Sequence, residues 1–133
     1  MPRLATAVGT VVVAVLSIGV FAANQVVDRQ RVRAHAAAIT GGDPGRGSAA
    51  MARRGCGGCH EIPGVANAQG KVGASLAGWS GRVYVDGRLP NTPDNVESWI
   101  RDPRAIDPQT AMPPTGVTAA EARDIAAYLY AET

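Results

Sequence analysis

The sequence predicts an all-α protein, with three to four short helices wrapped around a core that the chain does not fill by itself and an N-terminal transmembrane helix ahead of them. Three observations carry this. Leu4 to Ala23 is an uncharged run of twenty residues, LATAVGTVVVAVLSIGVFAA, which as a helix reaches about 30 Å, one bilayer core. Each later helix is announced by a capping residue followed by proline or glutamate. From Asp43 onward twenty large apolar side chains stand against twelve Gly and eight Pro, too much loop for so small a domain to close a core from its own side chains.

The apolar run is longer than the ~7–15-residue core of a cleaved signal peptide, and Arg3 alone marks a basic start, so a retained anchor is expected, with cleavage at Val20-Phe21-Ala22 as the rival. Arg29, Arg31 and Arg33 follow the run, a bias that by itself places the carboxyl side in the cytoplasm. Val26 to Ile39 lacks Pro and Gly and extends the helix as a stalk until Thr40-Gly41-Gly42 stops it. The expected division is an anchor (helix about 4–27) and stalk over residues 1–40 and a globular domain over 41–133.

Within that domain Asp43-Pro44 is a cap followed by a first-turn proline, opening a helix through about Arg54, where Gly55 ends it. Gly64 to Pro90 reads as wrapped loop; Arg82 to Asp86 pairs briefly at most, and no sheet is implied. Thr92-Pro93 opens a short helix with Val96, Trp99 and Ile100 on one face, broken at Asp102-Pro103. Thr118 and Glu121 form a capping box for the last helix, whose stripe is Ala122, Ile125, Ala126 and Leu129, widened by Tyr128.

Composition limits the function classes. In 133 residues, 13 Lys+Arg against 11 Asp+Glu leave a net +2 with no one-sign block, which argues against a nucleic-acid binder. Cys56 and Cys59 are too close for a disulfide between them to restrain much chain entropy. With the two intervening glycines and His60 they spell C-x-x-C-H, the attachment pattern of a c-type haem: two thiols bond to the vinyl groups and the adjacent imidazole reaches the iron. A zinc site needs two further ligands, and the other histidine, His35, lies in the stalk. A thiol–disulfide exchanger would want βαβ architecture around the motif, which this sequence does not offer. For the second axial position Met1 precedes the span and Met51 lies on the helix leading into Cys56. Met112, in the proline-stiffened loop Asp107 to Pro114, remains.

From Gly42 to about Ala131 the chain resembles the class I cytochromes c in the order of its parts: an opening helix, C-x-x-C-H, a Gly-x-x-Leu-x-Gly loop, a short helix ending in Asp-Pro, a methionine loop and a closing helix. Leu89 to Pro93, Trp99 to Pro103 and Thr110 to Pro113 are similar to the membrane-anchored cytochromes c found alongside bacterial haem–copper oxidases. The resemblance implies a cytochrome c fold around one covalently bound haem c. It implies that Gly47 and Met51 meet Ile125, Tyr128 and Leu129 where the first and last helices cross. In the family a proline carbonyl orients the ligand histidine; here the stretch is Gly73-Ala74-Ser75-Leu76, the proline is absent, and Ala74 supplies the carbonyl. Leu76, Trp99 and Ile100 belong to the haem pocket on this reading, and Arg82, Tyr84 and Asn91 are the candidates to bond the propionates. Arg53, Arg54 and Lys71 fall near the exposed haem edge as a basic docking rim on a body that carries, with these three included, nine basic and ten acidic residues from Asp43 on.

The implied function is electron transfer, with no bond of a substrate broken. The partners implied are a quinol-oxidising cytochrome bc complex as donor and a haem–copper oxidase as acceptor, with the haem domain on the periplasmic side of a bacterial cytoplasmic membrane. Two alternatives remain: a fixed haem subunit of an oxidase complex, and a haem enzyme or ligand sensor if Met112 does not ligate.

Overall fold

Helix α1 runs over Pro2–Thr40: Pro2 sits in its first turn, where a missing N–H costs nothing, and no later proline interrupts it. The computed structural model describes residues 2–132, with side chains from Val8 onward, so Met1 and the side chains of the first expected anchor residues, Leu4 to Ala7, lie outside the described part. The chain divides into two units, Met1–Arg31 and Val32–Thr133. In the first, Val8 to Phe21 are exposed around the whole helix, and the segment from Val8 is long and apolar enough to cross a membrane. In the second, Ala36 and Thr40 are buried. Thr40 Oγ1 donates to the Ala36 carbonyl at 2.7 Å and accepts from the Gly42 amide at 3.2 Å, while Gly41 at φ 67° lets the helix stop.

Helix α2 (Pro44–Arg53) begins where Asp43 accepts the Arg46 amide at 2.7 Å. It packs on the closing helix, α5 (Ala119–Ala131). Gly47 makes the crossing possible: a Cβ there would fall on the Asp124 backbone and 2.9 Å from the Tyr128 Cβ. Met51, Ile125, Tyr128 and Leu129 are buried together in one core, each contributing about 1.5–3 kcal/mol by leaving water. Asp124, buried at the same crossing, accepts from Arg46 Nε and Nη2, both at 2.9 Å, and from the Asp43 amide at 2.7 Å. The Arg46 bonds above all hold its carboxyl below the usual carboxylate range.

Between these helices the chain forms a two-residue antiparallel ladder, β1 (Tyr84–Val85) on β2 (Leu89–Pro90), closed at Asp86 and Gly87, whose φ values of 52° and 67° are those of an Asp-Gly hairpin turn. Helix α3 (Pro93–Arg101) ends at Asp102. The break expected at Asp102-Pro103 is there, and the same pair is also a second cap-and-proline start: Asp102 accepts the Ala105 amide at 3.2 Å and opens the single turn α4 (Pro103–Ile106).

At the start of α5 the capping box of Thr118 and Glu121 is formed, and the Glu121 carboxylate also takes Arg54 at 2.6 Å and Arg53 at 3.6 Å from the end of α2. The Arg54 bond, then the Thr118 amide, bring its pKa from 4.5 down to about 2. Because the folded value lies below the unfolded one, the stabilisation is present above pH 4.5 and is lost as pH falls through about 2. Glu121→Gln therefore lowers stability near neutrality and flattens the acid limb between those values, read as urea midpoint against pH; an unchanged acid limb would contradict the assignment.

Candidate haem site

Gly55, at φ 72°, turns the chain out of α2 and into a 3-10 turn at Cys56–Gly58. The Cys59 and His60 amides both donate back to the Cys56 carbonyl, at 3.2 and 3.0 Å, so the three side chains of the motif leave one turn of backbone. Both cysteines are free thiols, Cys59 exposed and Cys56 partly covered. Burial pushes the Cys56 thiol up.

His60 Nδ1 lies 2.7 Å from the Ala74 carbonyl. An N–H at Nδ1 donating to that oxygen leaves the Nε2 lone pair free to ligate. The ring is also fenced by Gly73, where a Cβ would come within 2.7 Å of Nδ1 and 2.8 Å of Nε2, so glycine is required. The loop carrying Ala74 has no proline, and hydrogen bonds replace its stiffness. The Gly73 amide donates to Cys59 O and the Leu76 amide to Glu61 O, each at 2.8 Å. Arg82, stacked 4.9 Å from the Trp79 ring centre, donates to the Ser75 carbonyl.

These groups border a cavity of about 580 Å³. Cys56, Cys59 and His60 line it, as do Ala74 and Leu76 of the loop, Arg82 and Tyr84, and Trp99 and Ile100 of α3. Met112 joins them from the loop after α4, followed by Pro113 and Pro114. Its amide donates to Thr110 Oγ1 at 3.2 Å, and the loop's far end is tied by Thr115 Oγ1 donating to the Ile100 carbonyl at 2.7 Å.

Of the basic residues, Arg54 lines the cavity and Arg53 and Lys71 fall outside the lining. Asn91 is also outside. Its Nδ2 donates to the carbonyls of Arg82 and Trp79 at 2.9 and 3.2 Å, and its Oδ1 accepts the Tyr130 hydroxyl at 2.8 Å, so it braces the backbone from Trp79 to Arg82 against α5. Burial raises Tyr130 to about 12 and keeps it a donor. Trp79 is a pocket residue that sequence reasoning misses. It is buried, lines the cavity, and its Nε1 is the buried side-chain polar atom without a partner among the described residues. An indole N–H has only donor character, so this buried donor is the exception to the satisfied polar groups around the site. Its place in Gly78-Trp79-Ser80-Gly81, with no helical periodicity around it, is the one available signal.

Residues 44–131 match the family model for cytochrome c. The chain belongs to the cytochrome c family. With its N-terminal apolar helix it fits a membrane-anchored class I c-type cytochrome, and its mostly helical fold agrees. The chain is also 34% identical over 58 residues to cytochrome c oxidase subunit 2 of Alkalihalophilus pseudofirmus (strain ATCC BAA-2126 / JCM 17055 / OF4). The matched stretch is 44% of this chain and 16% of that protein, so the chain spans less than a fifth of the relative's length. No solved structure matches it significantly. The family implies haem c and haem-based electron transfer, and the site's chemistry suits that group: two thiols and an imidazole in one turn, a thioether and a largely apolar cavity lined by all of them. Among the described residues no three His, Cys, Asp or Glu side chains come together as a metal site of another kind.

Proposed function

We propose that this cytochrome c carries electrons through one haem, bonded to Cys56 and Cys59 and ligated by His60 and Met112, between membrane respiratory complexes. The observation that carries the reading is the convergence of the attachment turn, the His60–Ala74 bond and Met112 on one cavity. When bound, the haem supplies an iron that cycles between two oxidation states. The protein's part is to hold it. The Ala74 carbonyl fixes His60 in the ligating tautomer, Arg82 and Tyr84, which line the cavity, are the candidates to bond the carboxylates, and Leu76, Trp99 and Ile100 keep the pocket dry. Dry surroundings and a sulfur ligand both favour the reduced, less charged iron and raise the potential.

Residues 1–40 are then the anchor and stalk and 41–133 the electron-transfer domain, held at the periplasmic face of a bacterial cytoplasmic membrane. The donor is a quinol-oxidising cytochrome bc complex and the acceptor a haem–copper oxidase; similarity to an oxidase subunit supports the link to oxidases. The same similarity favours a second reading, a fixed haem subunit of such a complex, which co-purification at constant stoichiometry through detergent would establish. Docking falls to the basic rim. Arg53 and Arg54 already engage Glu121, so Lys71, exposed in the loop after the motif, is the cleaner probe. The pre-reduced protein in detergent is expected to be reoxidised by the oxidase, and Lys71→Glu to slow this at low salt and flatten its ionic-strength dependence. Absence of reoxidation by the parent would reject the oxidase as acceptor; identical salt slopes would remove Lys71 from the docking surface.

A further inference from the structure

The loop that carries Met112 is held by two arms of different chemistry. After Met112 the tie is neutral, from the Thr115 hydroxyl to the Ile100 carbonyl at 2.7 Å. Before Met112 it is ionic. Arg88, at the end of the Asp86-Gly87 turn, places Nη2 3.3 Å from Asp107 Oδ2, with Nε 3.6 Å from Asp86 Oδ2. The Asp107 side chain is 14% exposed, and it organises the next five residues of the loop. Its Oδ1 accepts the Gln109 amide at 3.1 Å, its carbonyl accepts the Thr110 amide at 3.1 Å, and Thr110 Oγ1 accepts the Met112 amide at 3.2 Å. A continuous run of polar contacts thus leads from the hairpin to the backbone of Met112, and its outermost member is the Arg88 guanidinium, 56% exposed.

We propose that Arg88 and Asp107 are positioning residues that hold the segment before Met112 closed, and so set how readily an outside ligand displaces the sulfur from the iron. The inference rests on Met112 as axial ligand. An ion pair with one exposed partner has the strength to tune this without abolishing it, and it is weakened by salt where the Thr115 arm is not. Loss of the Arg88 charge leaves Met112 in place in most molecules and raises the fraction in which the loop has swung away.

The test uses the oxidised holoprotein and free imidazole as the competing ligand, followed by loss of the sulfur-to-iron absorption. At low salt Arg88→Gln is expected to bind imidazole about two- to fivefold more tightly than the parent, the range an ion pair of this exposure supplies. The difference should disappear at high salt because the parent moves toward the variant. Asp107→Asn should reproduce the effect, and the double variant should add nothing to either single one. Equal affinities for parent and Arg88→Gln at low salt, a salt-independent difference, or additive effects in the double variant would overturn the proposal. If Asp107→Asn does not fold, the salt titration of Arg88→Gln decides alone. A parent that lacks the sulfur-to-iron absorption would instead reject Met112 as ligand, and this inference with it.

Discussion

Replacing Met112 with Ala is expected to abolish the long-wavelength sulfur-to-iron absorption of the oxidised protein, lower its reduction potential and open the iron to carbon monoxide. The change removes the thioether without releasing the loop that carries it. Met112 is half-buried against the core, its amide is held by Thr110 and the next tie, Thr115 to Ile100, lies beyond Pro113 and Pro114. The loss should therefore be specific to the sixth position, with helix content and thermal unfolding close to the parent's. An unchanged spectrum would mean that another group ligates, and ready carbon monoxide binding by the parent would favour the haem enzyme or sensor alternative.

Substituting both cysteines has the larger consequence, because it removes what retains the group that fills the centre of the fold. Without it a cavity of about 580 Å³ opens to water in a domain too small and too rich in loop to close a core from its own side chains. The cavity is bordered by Met51, Trp79, Trp99, Ile125 and Leu129, all members of the buried core. Cys56→Ala with Cys59→Ala is expected to leave a chain with little haem and with most of its domain helix lost, seen by circular dichroism and haem staining. Either single change should keep the haem through the remaining thioether. A double variant as helical as the parent would show that the core closes without the group.

The residues that place the site differ in how far the sequence reveals them. C-x-x-C-H and the capped helix starts are local signals, because a cap, a prolyl N1 or a thiol pair states its role within a few residues; Gly47 at the crossing is legible through the resemblance to the class I cytochromes c, since what it meets lies on α5. Asp102 is half legible: the same Asp-Pro that ends α3 also begins α4, and only three-dimensional packing decides that the chain re-enters a helix. The Asp86-Gly87 hairpin has its dipeptide signature, yet strands of two residues have no periodicity to support it. Trp79, the Asn91–Tyr130 brace and the Arg88–Asp107 pair are out of reach. Each depends on contacts between segments far apart in the chain, and nothing in a Gly-rich stretch tells which of its polar and aromatic groups turn inward.

Acid–acetone extraction of the native protein tests the central claim most directly, since it separates a covalent haem from one held by ligation and packing alone. Cys56 and Cys59 predict that the haem stays with the polypeptide and stains at the mass of the chain after denaturing electrophoresis; haem released into the solvent phase, leaving a colourless polypeptide, would contradict the account.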